Sequence, residues 1–236
     1  EKLIINERHE AWGSLARKLA HEIKNPLTPI QLTIDRLKSK YSSQLSEKDK
    51  SNFKENLKII NNQIKQIEKL VNEFSDFARM PKPIFQKNDL VELIIENIKL
   101  LQELETSIEI KFESNLPIIN LESDKEQLSR VFLNLIKNSI ESIQQKVQND
   151  NNTNKKIDIE LNDHDDHINL TIIDTGIGFE NLKSNIKDIL NPYFTTKKNG
   201  TGLGLSIVNK IINDHNGNIE FIPINNGAKI KIIFKR

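Results

Sequence analysis

His21 is followed by Glu22 and, four positions past the histidine, by Asn25, within the run His21-Glu22-Ile23-Lys24-Asn25-Pro26-Leu27. This set can accept a phosphoryl group. A neutral imidazole is a competent nucleophile toward phosphorus, and an adjacent carboxylate can take or orient the proton on the far ring nitrogen. Either residue alone carries little, because an exposed helical histidine is ordinarily surface and a glutamate beside it a solvated charge.

Three further segments supply what a nucleotide needs. In Asn134-Leu135-Ile136-Lys137-Asn138 the two amides lie one helical turn apart and share a face. Asn138 offers an amide oxygen suited to Mg2+, a hard cation that takes oxygen ligands and keeps waters and substrate phosphates as the rest. Asp174-Thr175-Gly176-Ile177-Gly178 follows an apolar run. A carboxylate at such a strand end can accept from an amino group such as adenine N6, while Gly176 and Gly178 let backbone approach the ring. Gly200-Thr201-Gly202-Leu203-Gly204 precedes Leu205-Ser206-Ile207-Val208, an apolar helix opening. Backbone amides at a helix start, with no Cβ in the way, cradle anions. This is not the dinucleotide fingerprint, since a loop rather than a strand leads into it and the acid precedes it. Each segment also has a bland reading, as a solvated helix face or a glycine turn. Together, a nucleophile and a nucleotide site on one chain point to phosphate moving from ATP to His21.

Elements must hold these groups in place. From about residue 8 to 79 the apolar residues alternate in fours and threes: Trp12, Ala16, Leu19, Ile23, Leu27, Ile30, Ile34, Leu37 and Tyr41, then Phe53, Leu57, Ile60, Ile64, Ile67, Val71, Phe74 and Ala78. That is a heptad-like seam on two long helices, with the polar stretch Ser42 to Lys50 as the turn between them. One hairpin leaves much of the seam wet, so two hairpins are expected to pair as a homodimeric four-helix bundle. His21 lies two residues past seam position Leu19 and should be exposed. Pro26 and Pro29 cannot donate to the carbonyls of Glu22 and Asn25, which predicts a loosened turn just after the histidine.

Pro81 and Pro83 mark a boundary near Met80, giving domains over 1–80 and 81–236. Beyond it the pattern predicts helices near 88–104, 124–147 and 202–215, and strands near 107–113, 157–162, 167–173, 218–222 and 228–234. The fold class is α+β, a helical hairpin followed by a two-layer α/β sandwich. Phe179 to Asn199 has little periodicity and reads as a lid, with Lys197 and Lys198 at its far end within reach of phosphate oxygens. Gln148 to Lys156 reads as a surface loop.

Among 236 residues, 36% are hydrophobic and 28% charged, and the net charge is +1, which gives no reason to expect nucleic acid or an anionic membrane as partner. There is no cysteine, so disulfides and thiolate metal sites are excluded. No apolar run approaches the ~18 to 20 residues that cross a bilayer. The chain starts at Glu1, and Met80 is its only methionine. It therefore reads as a fragment. Asp163-His164-Asp165-Asp166-His167 falls between two expected strands and reads as a polar hairpin turn rather than a metal cluster. His9 and His215 lack any constellation and read as surface.

These segments, in this order, resemble the histidine kinases of bacterial two-component systems, over about His9 to Lys235. His21 to Leu27 is similar to the phospho-acceptor box, Asn134 to Asn138 to the asparagine box, Asp174 to Gly178 to the first glycine box and Gly200 to Gly204 to the second. Asn191-Pro192-Tyr193-Phe194-Thr195-Thr196-Lys197 resembles the phenylalanine box. Ala20-His21-Glu22-Ile23-Lys24-Asn25-Pro26-Leu27-Thr28-Pro29 and Glu10-Ala11-Trp12 look like the NtrY-type sensors associated with nitrogen regulation. The resemblance implies a dimerisation and phosphotransfer hairpin and an ATP-binding domain of the GHKL type, shared with Hsp90, type II topoisomerases and MutL. It implies a protein-histidine kinase using ATP and Mg2+, with Glu22 acting in phosphotransfer and Asn25 in hydrolysis of a phosphorylated response regulator, whose receiver domain is the partner. Asn138, helped by Asn134, would hold Mg2+. Asp174, Gly176, Gly178, Phe179, Thr195, Thr196, Lys197, Gly200, Thr201, Gly202, Leu203 and Gly204 would complete the nucleotide site. Kinases of that group are usually membrane-anchored, so this would be the cytoplasmic portion of an inner-membrane sensor, with the anchor in segments before Glu1. Ser139 departs from the alanine that often follows the asparagine box, a change expected to leave ATP binding intact. Two competitors remain open: a conformational ATPase that modifies no histidine, and a non-enzymatic dimeric docking scaffold.

Overall fold

A computed structural model describes residues 2–42, 44–78, 80–149, 154–179, 186–197 and 200–235, with the side chains of 2–14, 47, 149 and 187 outside that description. The chain divides into two compact units, one made of residues 1–81 and 196–203, the other of 82–195 and 204–236.

In the first unit, α1 (Lys2–Tyr41) and α2 (Glu47–Ala78) form the hairpin. The seam splits in two. Ala16, Ala20, Leu27 and Ile34 of α1 and Leu57, Ile64 and Val71 of α2 are buried, with Phe53 packed against the cluster of Leu27, Ile34, Leu57 and Ile64. Burying each of these larger aliphatic side chains contributes roughly 1.5–3 kcal/mol. The alternate seam positions Leu19, Ile23, Ile30, Leu37, Tyr41, Ile60 and Ile67 stay 37–45% exposed. Gln31 Nε2 donates to Asn61 Oδ1 at 2.6 Å, a polar cross-tie beside the apolar contacts.

The turn is shorter than its polar composition predicts. The Asp49 amide donates to Ser46 Oγ at 3.3 Å, so Ser46 caps α2 and the helix begins at Glu47. Helix α1 continues through Pro26 and Pro29. Just beyond, Thr33 Oγ1 donates to the Pro29 carbonyl at 2.8 Å.

In the second unit a five-stranded sheet is built from β2 (Glu109–Ser114), β4 (Lys156–Asp163), β5 (His167–Asp174), β6 (Gly217–Ile224) and β7 (Gly227–Lys235). The spatial order is β2-β4-β5-β7-β6, with β2 and β4 parallel and every other neighbour antiparallel. The helices α3 (Leu90–Leu104), α4 (Lys125–Asn149) and α5 (Gly204–Asp214) pack with it as the second layer. The core joins Leu128, Phe132, Leu135, Ile136 and Ile143 of α4 to alternate strand residues such as Ile157, Ile159, Leu161, Ile230, Ile232 and Phe234, a period of two that one covered sheet face requires.

Two strands were not expected. β1 (Gln86–Asp89) and β3 (Asn120–Ser123) pair antiparallel as a separate ribbon. Four-residue strands of sequence QKND and NLES lack the β-branched and aromatic residues that mark a strand. Their pairing ends at helix caps: Asp89 Oδ1 accepts from the amides of Val91 and Ile119, both at 3.0 Å.

Candidate functional site

Helix α4 organises the second unit. Its Asn134 donates Nδ2 to the Arg130 carbonyl at 2.8 Å, and a Cβ placed on Gly204, the first residue of α5, would lie 3.1 Å from Asn134 Oδ1. Asn138 stands one turn further along, half-buried. A cavity of about 900 Å³ opens beside Asn134, with Arg130, Ser129, Lys137 and Asp124 in its lining.

A second set of α4 residues, at positions 139, 142 and 146, holds the turn after β5. Ser139 Oγ donates to Asp174 Oδ2 at 3.0 Å. Ser142 Oγ accepts from the Ile177 amide at 3.1 Å. Lys146 Nζ donates to the Thr175 carbonyl at 3.0 Å and reaches the Asn226 carbonyl in the β6–β7 hairpin at 3.4 Å. Positions three and four apart fall on one helix face, so three successive turns of α4 clamp one loop.

Asp174, at the end of β5, is 4% exposed. Its Oδ1 accepts from the Gly176 amide at 2.9 Å. Burial pushes its carboxyl above the ordinary range, opposed by the Gly176 amide, the Ser139 hydroxyl, the Ala228 backbone and the Lys146 charge. An ionised carboxylate has about four lone-pair positions, so these donors leave capacity for one more. Gly176 is required here: a Cβ would stand 2.1 Å from Ser142 Oγ and 2.8 Å from the Ser142 backbone carbon. Gly178 has φ +66°, and a Cβ on it would meet the Gly227 carbonyl at 2.2 Å. Phe179 packs edge-on against Phe221, ring centroids 5.8 Å apart.

The candidate residues therefore fall into two groups. Asn134, Asn138, Asp174, Gly176, Gly178, Phe179, Thr195 and Gly204 belong to the second unit. His21, Glu22 and Asn25 are exposed on α1 of the first, and Thr196, Lys197, Gly200, Thr201, Gly202 and Leu203 group with that unit too. There the Thr201 hydroxyl donates to a Glu73 carboxylate oxygen on α2, Gly202 takes φ +70°, and Leu203 is buried. Lys198 lies outside the described residues, as does much of the stretch read as a lid; within it a short 3-10 helix spans Ile186–Leu190.

His215 corrects a sequence reading. It is not surface but 4% exposed. Nδ1 donates to the Ile211 carbonyl at 2.8 Å, and Nε2 accepts from the Asp124 amide at 3.0 Å. Asp124 caps α4 through the Gln127 amide and also accepts from the Ile84 amide at 2.8 Å, while Phe85 sits edge-on to the His215 ring. One imidazole thus ties the end of α5 to the start of α4. No local motif could reveal it, because Asp124 and His215 are 91 positions apart. His9 has its side chain outside the described residues. Asp163 to His167 forms the turn between β4 and β5, with the His164 and His167 rings stacked at 4.7 Å.

An antiparallel-rich sheet under three helices, with a buried acid before a glycine turn and asparagines on the facing helix, defines an ATPase-type module. Residues 123–236 match the histidine kinase-, DNA gyrase B- and HSP90-like ATPase family, and residues 11–83 match the His Kinase A (phospho-acceptor) domain. The chain belongs to the histidine kinases. It is 38% identical over 237 residues to the nitrogen regulation protein NtrY of Azorhizobium caulinodans, covering 99% of this chain and 30% of that protein. It is 31% identical to the signal transduction histidine-protein kinase AtoS of Escherichia coli, covering 90% of this chain and 33% of that one. The chain thus spans about a third of the length of these relatives. Among solved structures, histidine kinase ThkA in complex with response regulator protein TrrA superposes with a TM-score of 0.65 at 28% identity, over 98% of this chain and 63% of that one. Full-length ShkA in complex with AMPPNP shares the fold, with a TM-score of 0.68 at 18% identity over 94% of this chain and 45% of that one.

Proposed function

We propose that this chain is a protein-histidine kinase core: it binds Mg2+–ATP in the second unit, phosphorylates His21, and passes the phosphoryl group to an aspartate on a response regulator. The observation that carries the reading is the pairing, on one chain, of an exposed histidine–glutamate step on α1 with a buried acid and glycine turn clamped under α4. The His21 imidazole would attack the γ-phosphorus, ADP would leave, and Glu22 would take the proton from the far ring nitrogen. Asp174 would accept from adenine N6, and Gly176 and Gly178 would admit the ring.

Asn134 and Asn138 present amide oxygens, the donor class that Mg2+ takes, and the Asn134 carboxamide is already oriented by its bond to Arg130. They fit the ion, which supplies charge neutralisation on the phosphates when bound. Thr195, Thr196, Lys197, Gly200, Thr201, Gly202, Leu203 and Gly204 would close over the phosphates, and Asn25 would serve hydrolysis of the phosphorylated regulator. The half-buried strip from Leu19 to Tyr41, with Ile60 and Ile67, supports a homodimeric bundle, since a second hairpin would cover it. Among the described residues no helix is long and apolar enough to cross a membrane. A cytoplasmic place within a longer inner-membrane sensor accords with relatives about three times the length of this chain.

Incubation with γ-labelled ATP and Mg2+ should give acid-labile, base-stable label on the wild type and none on His21→Gln, with ATP binding retained by the variant. Label persisting on that variant refutes the assignment. ATP hydrolysis with no label on either protein would favour a conformational ATPase.

A further inference from the structure

Ser139 follows Asn138 on α4, and its side chain meets Asp174 at the end of β5. Its side chain is 2% exposed, and its hydroxyl spends its one hydrogen on Asp174 Oδ2 at 3.0 Å. The other carboxylate oxygen, Oδ1, is taken by the Gly176 amide at 2.9 Å. Two donors on opposite oxygens of a short side chain fix its rotation. Resting on the ATP-site reading above, we infer that Ser139 is a positioning residue for base selection: its hydroxyl orients the Asp174 carboxylate so that it accepts from an exocyclic amino group and rejects a carbonyl at the same place on the ring.

The chemistry follows from what each base presents. Adenine offers an amino group at its six position and guanine a carbonyl oxygen. An ionised carboxylate is acceptor-only and repels that oxygen, whereas a protonated carboxyl has an O–H that can donate to it. Discrimination therefore depends on the protonation state of Asp174, which burial pushes toward neutral and the Gly176 amide, the Ser139 hydroxyl and the Ala228 backbone pull back, Ser139 being the only side-chain hydroxyl among them. The Ala228 backbone also donates to the carboxylate. Asp174 stands opposite Ile157 on β4 and Ala228 on β7, neither of which titrates. From α4 the charged group acting on it is Lys146, whose Nζ is engaged by the Thr175 carbonyl. A hydrogen bond to a buried charged group is worth enough that its loss is felt as about a tenfold or larger change in an equilibrium.

The test is calorimetric titration of the full chain and of Ser139→Ala with Mg2+–AMPPNP and Mg2+–GMPPNP between pH 5 and 8. The wild type should bind the adenine analogue and discriminate strongly against the guanine one, with affinity falling on the acid side. Ser139→Ala should bind AMPPNP about tenfold or more weakly, lose much of its discrimination, and show the acid-side fall at a higher pH. A melting curve on the same samples establishes that the variant is folded. An unchanged affinity ratio and unchanged acid limb overturn the inference. So does a uniform loss for both analogues with the acid limb unmoved, which is what a merely structural serine would give. A wild type that binds neither analogue overturns the nucleotide-site reading itself, and is thereby distinguishable from failure at Ser139 alone.

Discussion

Around Asp174, a serine hydroxyl and two backbone amides hold the carboxylate while a second serine and a lysine of the same helix hold the loop that follows it. Around His21 the arrangement is reversed: the histidine, Glu22 and Asn25 stand on one helix as exposed side chains, next to a proline that leaves the Glu22 carbonyl without its usual donor. A binding site gains from being preorganised before its ligand arrives, because ordering costs are then already met by folding. An acceptor that must meet a phosphoryl group carried by other residues gains from access. The two regions should accordingly respond to substitution in different currencies: stability and binding together at the first, chemistry without stability at the second.

Glu22→Gln provides the widest separation of the two. A positioned acid–base group contributes roughly 10²–10⁴-fold to a rate. The expected outcome is a fall of that order in the rate of label incorporation, with melting temperature and AMPPNP affinity unchanged, because the side chain is exposed. A parallel loss of stability would erase the contrast between the two regions.

Gly176→Ala should act the other way. The added methyl meets both the side chain and the backbone of Ser142, and backbone cannot swing aside. Overpacking of this kind costs about 1–3 kcal/mol. A lower melting temperature should accompany the loss of nucleotide binding, and a variant that stays fully stable while losing binding would show the turn to be less constrained than its contacts imply. His215→Ala belongs to the same class at similar or smaller size. It strips the partner from the Asp124 amide, which costs about 1–3 kcal/mol if left unsatisfied and less if water enters, while the Ile211 carbonyl keeps the His215 amide at 3.1 Å. Thermal unfolding measures it, and no change would mean that the α4–α5 tie is replaceable.

The same contrast accounts for what could be read from the sequence. The hairpin was legible because a heptad seam is a local pattern repeated many times, and the five main strands because β-branched residues alternate along them. The glycine turns and asparagines were legible because their chemistry depends on spacing within a few residues. What holds them was not. Ser139, Ser142 and Lys146 look like ordinary helix residues until β5 is placed beside α4, and Ser139 in particular reads as a minor departure when it is in fact bonded to the carboxylate. His215 looks like surface because its partner, Asp124, lies 91 positions away in the sequence. The short β1–β3 ribbon escaped for a different reason, since its residues have low strand propensity and pairing alone makes them strands.

The smallest effect should come from Asp174→Asn in the absence of nucleotide, and it tests whether preorganisation carries a cost. Burial raises the folded-state pKa of Asp174 above its unfolded value. A raised carboxyl contributes stability that is full below the unfolded pKa, near 3.9 for an aspartate, and that is lost as pH rises through the folded pKa. Ionised Asp174 is thus a mild burden on the empty fold, of about 1.4 kcal/mol for each unit by which the pKa is raised. An asparagine of the same size does not titrate, so the melting temperature of the variant minus that of the wild type should be more positive at pH 7 than at pH 4. Nucleotide should stabilise the wild type at pH 7 and leave the variant unmoved. If the difference instead grew toward low pH, the carboxylate would be stabilised by its surroundings rather than burdened by them, and the idea that this site holds an expensive charge in readiness for its ligand would fail.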